Sequence, residues 1–244
     1  TLTAGGDKTS TTFSGNILGN GNFTKDGSGA FTISGDDVLQ LSGKTTVKAG
    51  VIDFDGNKQE INNLVVEPGA KVSNGRLDVG TLMNKRSLTD NSEGKIVVTS
   101  LSGTVNDNEF TNYGSIEITT SANIDLKAGN DIFKTNSKIT FSGEIDGGPG
   151  NDLIQFGSLD NDLHEFKAAK VANFENAEQH CGSWDYDGDY KAKGIATMTL
   201  KAPGGECEKF GKTNKMLILD SEHATFENFV MEGGQLVASL ESKD

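Results

Sequence analysis

Apolar residues along this chain come in short pairs two positions apart, the alternation that places both on one face of a β-strand. Phe31/Ile33, Ile52/Phe54, Ile96/Val98, Ile116/Ile118 and Ile139/Phe141 are such pairs. Their spacing is nearly constant, at 21 residues, then 44 for two steps, then 20 and 23. A second set, Val38/Leu39/Leu41, Leu64/Val65/Val66 and Ile124/Leu126, falls between them. Three short strands per turn of roughly 21 residues, separated by Gly, Asn and Asp corners, predict an all-β fold of the parallel β-solenoid kind. A β-sandwich also alternates, but its connections need not keep one period.

The periodicity has a physical reading. One coil holds too few apolar residues to make a core, so it is stable only when stacked on a neighbour about 4.8 Å away. Val, Ile, Leu and Phe then form inward ladders, while Thr, Ser, Lys and Asp face water. Roughly nine to eleven coils would give a rod about 45 to 55 Å long. The ladder Ile96, Ile116, Ile139 is expected to point inward on successive turns. Regular coils are expected over residues 1–180, an irregular coil or excursion over 181–207, and further coils over 208–244.

Composition agrees with a turn-rich β protein: 31 glycines, 3 prolines and 7% aromatic residues mean that Gly, Asn and Asp make the corners. The formal charge of −13 argues against nucleic acid or an anionic membrane surface as partner, because either needs a basic stripe. No run of 18 apolar residues exists, so direct membrane insertion by this chain is not expected, and no charged-then-apolar signal segment opens it.

The segment "GNGNFTKDGSGAFTISG" followed by "SGKTTVKAGVIDF" (residues 19–54) resembles the passenger-associated repeat of autotransporters, with its Gly-x-Gly-x-φ-Thr-Lys core and Thr-Thr-Val-x-Ala-Gly ending. "INNLVVEPGAKVSNGRLDVGTL" (61–82), "FTNYGSIEI" (110–118) and "VANFENAEQHCGSWDYDG" (171–188) are similar to passenger coils. The resemblance spans most of residues 12–190 and thins afterwards. It implies a right-handed parallel β-helix, secreted through the outer membrane of a Gram-negative bacterium and displayed on the cell surface. A signal peptide and a translocator barrel are missing, so the chain is expected to be an excised portion of a passenger. Repeats like that at 19–54 occur in self-associating adhesins and also in stalks. The resemblance therefore implies partners of three kinds: passengers on neighbouring cells, a host surface protein or glycan, or a distal effector that the rod merely carries.

Candidate chemistry is sparse. "GGPGNDLIQF" (147–156) reads like one unit of a calcium-binding nonapeptide roll, and "GNDIF" at 129–133 is its twin 21 residues upstream. Stacked one coil apart, Asp131 and Asp152 are candidates for a calcium site, since calcium takes about six to eight oxygens. The alternative is a corner in which Gly supplies positive φ and Asn and Asp stack by hydrogen bonds. Cys181 and Cys207 are the only two cysteines. In an exported chain they are expected to form a disulfide, worth about 3.5 kcal/mol in the loop-entropy model. A zinc pair with His180 lacks four-ligand spacing.

Catalytic motifs are not visible. β-Helical polysaccharide lyases need clustered carboxylates beside a basic residue, and Arg76 and Arg86 flank no acidic cluster in sequence. Asp220, Ser221 and His223 lie close in sequence without a nucleophile elbow, while His164 and His180 are scattered. No enzyme activity and no obligatory cofactor are expected. Residues 107–165 hold eleven acids against three lysines, which reads either as solubility or as an acidic strip for partners. The candidate self-association surface is the outward run Asn106, Asp107, Asn108, Thr111, Asn112, Asn130 and Asn151. Trp184, Tyr186 and Tyr190 in "WDYDGDY" are the candidate platform for stacking on a sugar.

Overall fold

The structure, a computed structural model, describes residues 1–87, 89–90, 92–135, 139–158, 163–202, 214–218 and 224–238. It is a parallel β-solenoid, in which short strands pair with their counterparts one coil away. Phe23, Thr45, Leu64, Leu82, Phe110, Phe133, Ile154, Ala177 and Met198 stand in direct register, one above another. All nine are buried. This column is the floor of the core, and the flanking residues of the same strands alternate outward as the pleat requires.

A second column holds Phe31, Ile52, Val72, Ile96, Ile116 and Ile139. The expected isoleucine ladder is therefore present, with Ile139 half-buried at its end. Val72 divides the 44-residue interval between Ile52 and Ile96. It had no apolar partner two residues on, because Asn74 there turns the corner with φ 55°. A third wall stacks Leu77 on Leu101, and Ile124 on Ile145 and Val171.

Coil length varies while the columns do not. Leu64 to Leu82 is 18 residues and Leu82 to Phe110 is 28, yet both steps are in register. The extra length goes into corners, as in the hairpin-like excursion closed by the antiparallel bridge Arg86↔Glu93. Within 181–207, where an excursion or irregular coil was expected, Gly182–Asp187 and Thr197–Leu200 continue parallel ladders of the rod. Among the described residues, the second wall stops at Ile139–Thr140. A separate sheet of four strands begins at Leu163–Lys167 and runs through Gly182–Asp187, Asn214–Ile218 and Leu236–Ala238.

Close stacking explains the glycines of the 147–156 corner. A Cβ on Gly150 would lie 1.6 Å from the Gly129 carbonyl oxygen, and one on Gly148 would lie 1.6 Å from that of Lys127. The backbones of successive coils leave no room for a side chain at either point.

Lys25 is a polar plug in this core. It follows Phe23 by two residues, so the pleat turns it inward, and it is fully buried. Its Nζ donates to the carbonyls of Asp26 (2.7 Å), Gly27 (2.7 Å) and Ala49 (3.1 Å), joining corners of two successive coils. Burial holds its ammonium below the ordinary lysine pKa. Lys25→Met keeps the stem and removes the donor, leaving three inward carbonyls without that partner; each such loss costs about 1–3 kcal/mol. Thermal unfolding followed by circular dichroism is expected to show a Tm lower by several degrees, since about 1 kcal/mol moves Tm by roughly 2–4 °C at this size. An unchanged Tm would contradict this role.

Candidate functional site

The acid and amide dipeptides 107–108, 130–131, 151–152 and 175–176 fall on one corner of successive coils and build two ladders. In the inner one, the Asn108 N–H donates to Asp131 Oδ1 (2.6 Å), the Asp131 N–H to Asp152 Oδ1 (2.7 Å), and the Asp152 N–H to Glu175 Oε2 (2.6 Å). Each side chain reaches back to the preceding coil. In the outer ladder the direction reverses: the Asn130 N–H donates to Asp107 Oδ1 (2.8 Å) and the Asn151 N–H to Asn130 Oδ1 (3.1 Å). Asn176 Nδ2 extends the stack to Asn151 Oδ1 at 3.2 Å.

The two ladders meet different environments. Asp107, Asn130 and Asn151 are exposed, as is Asn106. Asn108, Asp131 and Asp152 are buried, and the second oxygens of both aspartates have no hydrogen-bond partner. Burial pushes the Asp152 carboxyl up from 3.8 to about 6, against the lowering effect of the Asp131 N–H. Asp131 is also raised, by burial first.

The calcium reading of Asp131 and Asp152 finds a poor donor set here. One oxygen of each is committed to backbone N–H groups, and among the described residues no three His, Cys, Asp or Glu side chains converge as a metal shell. Calcium takes about six to eight oxygens, and each of the two aspartates has one oxygen without a hydrogen-bond partner to offer. Glu175, a ladder member that the sequence reading missed, binds the Asp152 N–H instead. Its signal was the acid–amide pair Glu175-Asn176, written in the reverse order of Asn151-Asp152.

Three residues expected on the outer surface are not there. Asn112 lies in the interior phase of Phe110, accepts from Asn84 Nδ2 (2.8 Å) and approaches Thr135 Oγ1 (3.4 Å). Asn108 is buried, with Nδ2 donating to the carbonyls of Thr104, Asn106 and Leu126. Thr111, between Met83 and Lys134 in the ladder, is 4% exposed.

The aromatic platform is also corrected. Tyr186 and Tyr190 are fully buried, so neither ring can stack on a sugar. Tyr190 is stacked between Phe166 and Phe226, and the two hydroxyls donate to Gln179 Oε1 (Tyr186) and the Phe166 carbonyl (Tyr190). Burial raises both phenols well above their ordinary pKa. Trp184 is half-buried and donates to the Cys181 carbonyl at 2.9 Å. Cys181 itself is buried and disulfide-bonded; its expected partner Cys207 lies outside the described residues.

Comparison with family models, with curated proteins and with solved structures found no match to this chain. The functional reading therefore rests on the residues themselves.

Two outcomes are expected at this corner. A carboxyl raised to about 6 in the folded chain and near 3.8 when unfolded stabilises the fold below 3.8, and that contribution is lost as pH rises through 6. Asp152→Asn should therefore melt above the parent at pH 7, and should show a smaller gain in Tm when the pH is lowered from 7 to 5. Equal pH profiles in thermal melts would show that Asp152 does not titrate this way. Separately, chelator and added calcium should leave Tm unchanged; a calcium-dependent rise that Asp152→Asn abolishes would restore the metal reading.

Proposed function

We propose that this chain is a non-catalytic stretch of an autotransporter passenger, displayed on the surface of a Gram-negative bacterium, that mediates adhesion by lateral self-association. The observation that supports this reading is the exposed ladder Asp107, Asn130, Asn151, in which the first two side chains accept backbone N–H groups of the next coil and the third accepts from Asn176 Nδ2. Side chains already fixed lose little rotamer freedom when they meet a partner. Beside them Val105 is 78% exposed, giving an apolar contact at the edge of a polar row.

A rod repeats such contacts along its length. Weak contacts between two like rods sum through multivalency, and a two-fold arrangement lets the same surface serve both partners. The excess of acids over residues 107–165 makes the approach sensitive to salt, which screens repulsion over about 8–10 Å at physiological ionic strength. The same rod acting only as a stalk would need none of these contacts.

The experiment is surface display on a non-aggregating bacterium with sedimentation as the readout. Cells displaying the chain are expected to settle faster than controls, and more so as salt is raised. The triple variant Val105→Glu, Asn106→Glu, Asn151→Glu sets like charges against one another across a self-paired surface. It leaves the backbone-anchored Asp107 and Asn130 in place and is expected to keep the cells dispersed. Dispersal of cells carrying the unaltered chain would favour the stalk or host-receptor reading.

A further inference from the structure

The break in the second wall opens the core. Ile139–Thr140 and Leu163–Lys167 end two sheets that do not pair with each other among the described residues. Between them lies a cavity of about 680 Å³. Its apolar lining includes Ile139, Ile154, Phe156 and Trp184, two of which belong to the interior columns described above. The volume is that of a small-molecule site, for which about 300–1,000 Å³ is typical.

The polar groups at this cavity are nearly all accounted for. Ser158 Oγ and His164 Nε2 are paired at 2.6 Å. Lys167 Nζ is 2.6 Å from Glu165 Oε1, and Lys170 Nζ donates to the carbonyls of Ser142 (2.8 Å) and Gly143 (3.2 Å). Arg86 is different. Its Nε is buried with no hydrogen-bond partner. Glu93, opposite it in the backbone bridge, also lines the cavity. In a chain of net charge −13, this cavity is lined by three basic residues (Arg86, Lys167, Lys170) and two acidic ones (Glu93, Glu165).

We propose that this cavity binds a fatty-acid-like monocarboxylate, with its apolar chain in the opening of the core and its carboxylate on the Arg86 guanidinium. A buried guanidinium nitrogen without an acceptor calls for one, and a carboxylate matches the planar fork with two parallel hydrogen bonds. The apolar walls select the chain, and the arginine distinguishes the acid from an alcohol or an amine of equal length. This site lies apart from the exposed corner ladder and does not rest on the adhesion reading.

Isothermal titration of the full chain with dodecanoate, dodecan-1-ol and dodecyltrimethylammonium, each kept monomeric, tests the site. Dodecanoate is expected to bind one to one, the other two at least about tenfold more weakly, a factor worth about 1.4 kcal/mol. Arg86→Gln should reduce dodecanoate affinity by a similar factor, Arg86→Lys less, and Glu93→Gln should increase it. Melting curves of the variants verify that they fold, and a Tm rise with dodecanoate in the parent gives a second readout. No dodecanoate binding by the parent would overturn the site. Equal binding of dodecanoate and dodecan-1-ol, unaffected by Arg86→Gln, would overturn the assignment of the carboxylate to Arg86.

Discussion

The backbone hydrogen bond between one coil and the next is the interaction on which the rest depends. Nearly every strand here is two to five residues long, too short to be stable alone, and each finds its N–H and C=O partners on a neighbouring coil. Once that spacing of about 4.8 Å is set, side chains at equivalent positions must touch. Like then stacks on like: Ile96 on Ile116, Phe110 on Phe133, Ile124 on Ile145. The same closeness excludes a Cβ at Gly148 and Gly150 and brings the Asp131 carboxylate onto a neighbouring backbone amide.

Polar residues inside the rod obey the same rule. Lys25, Asn84, Asn112 and Thr135 occupy one column with Val47, Val66 and Phe156. Lys25, Asn84 and Asn112 each direct a donor along the axis, to a carbonyl or side chain of the adjacent coil, where an apolar residue would simply make contact. A buried polar group is tolerated when it is bonded, and a solenoid supplies a bonding neighbour on either side. Asn84 Oδ1 and one oxygen of each corner aspartate are partial exceptions, left without a partner; at the aspartates protonation relieves that burial cost.

Much of the architecture was legible in the sequence because strand phase and period survive without tertiary information. The isoleucine ladder and the roughly 21-residue step follow from alternation alone. Where the reading failed, residue polarity had been allowed to outrank phase. Asn112 sits two residues after Phe110 and Lys25 two after Phe23, so both belong inside by the pleat, whatever their side chains prefer. Tyr186 and Tyr190 fail for another reason: the rings that cover them, Phe166 and Phe226, come from 20 residues before Tyr186 and 36 after Tyr190. No local pattern announces that cover. The opening of the core was likewise invisible, because it depends on two wall segments failing to meet.

That discontinuity bears on how the rod holds together as a folding unit. In a stack of nearest neighbours, cooperativity passes from coil to coil through the interfaces they share. Across several successive steps three walls transmit it; between Ile139–Thr140 and Leu163–Lys167, among the described residues, the sheet that stacks Phe133 on Ile154 and Thr135 on Phe156 continues, as does Ile145 on Val171, while the second wall does not. An interruption of one wall thus lies well inside the rod, far from its ends. Denaturant or a pulling force should find a seam there, with the part before it and the part after it unfolding as two blocks in place of a single all-or-none transition.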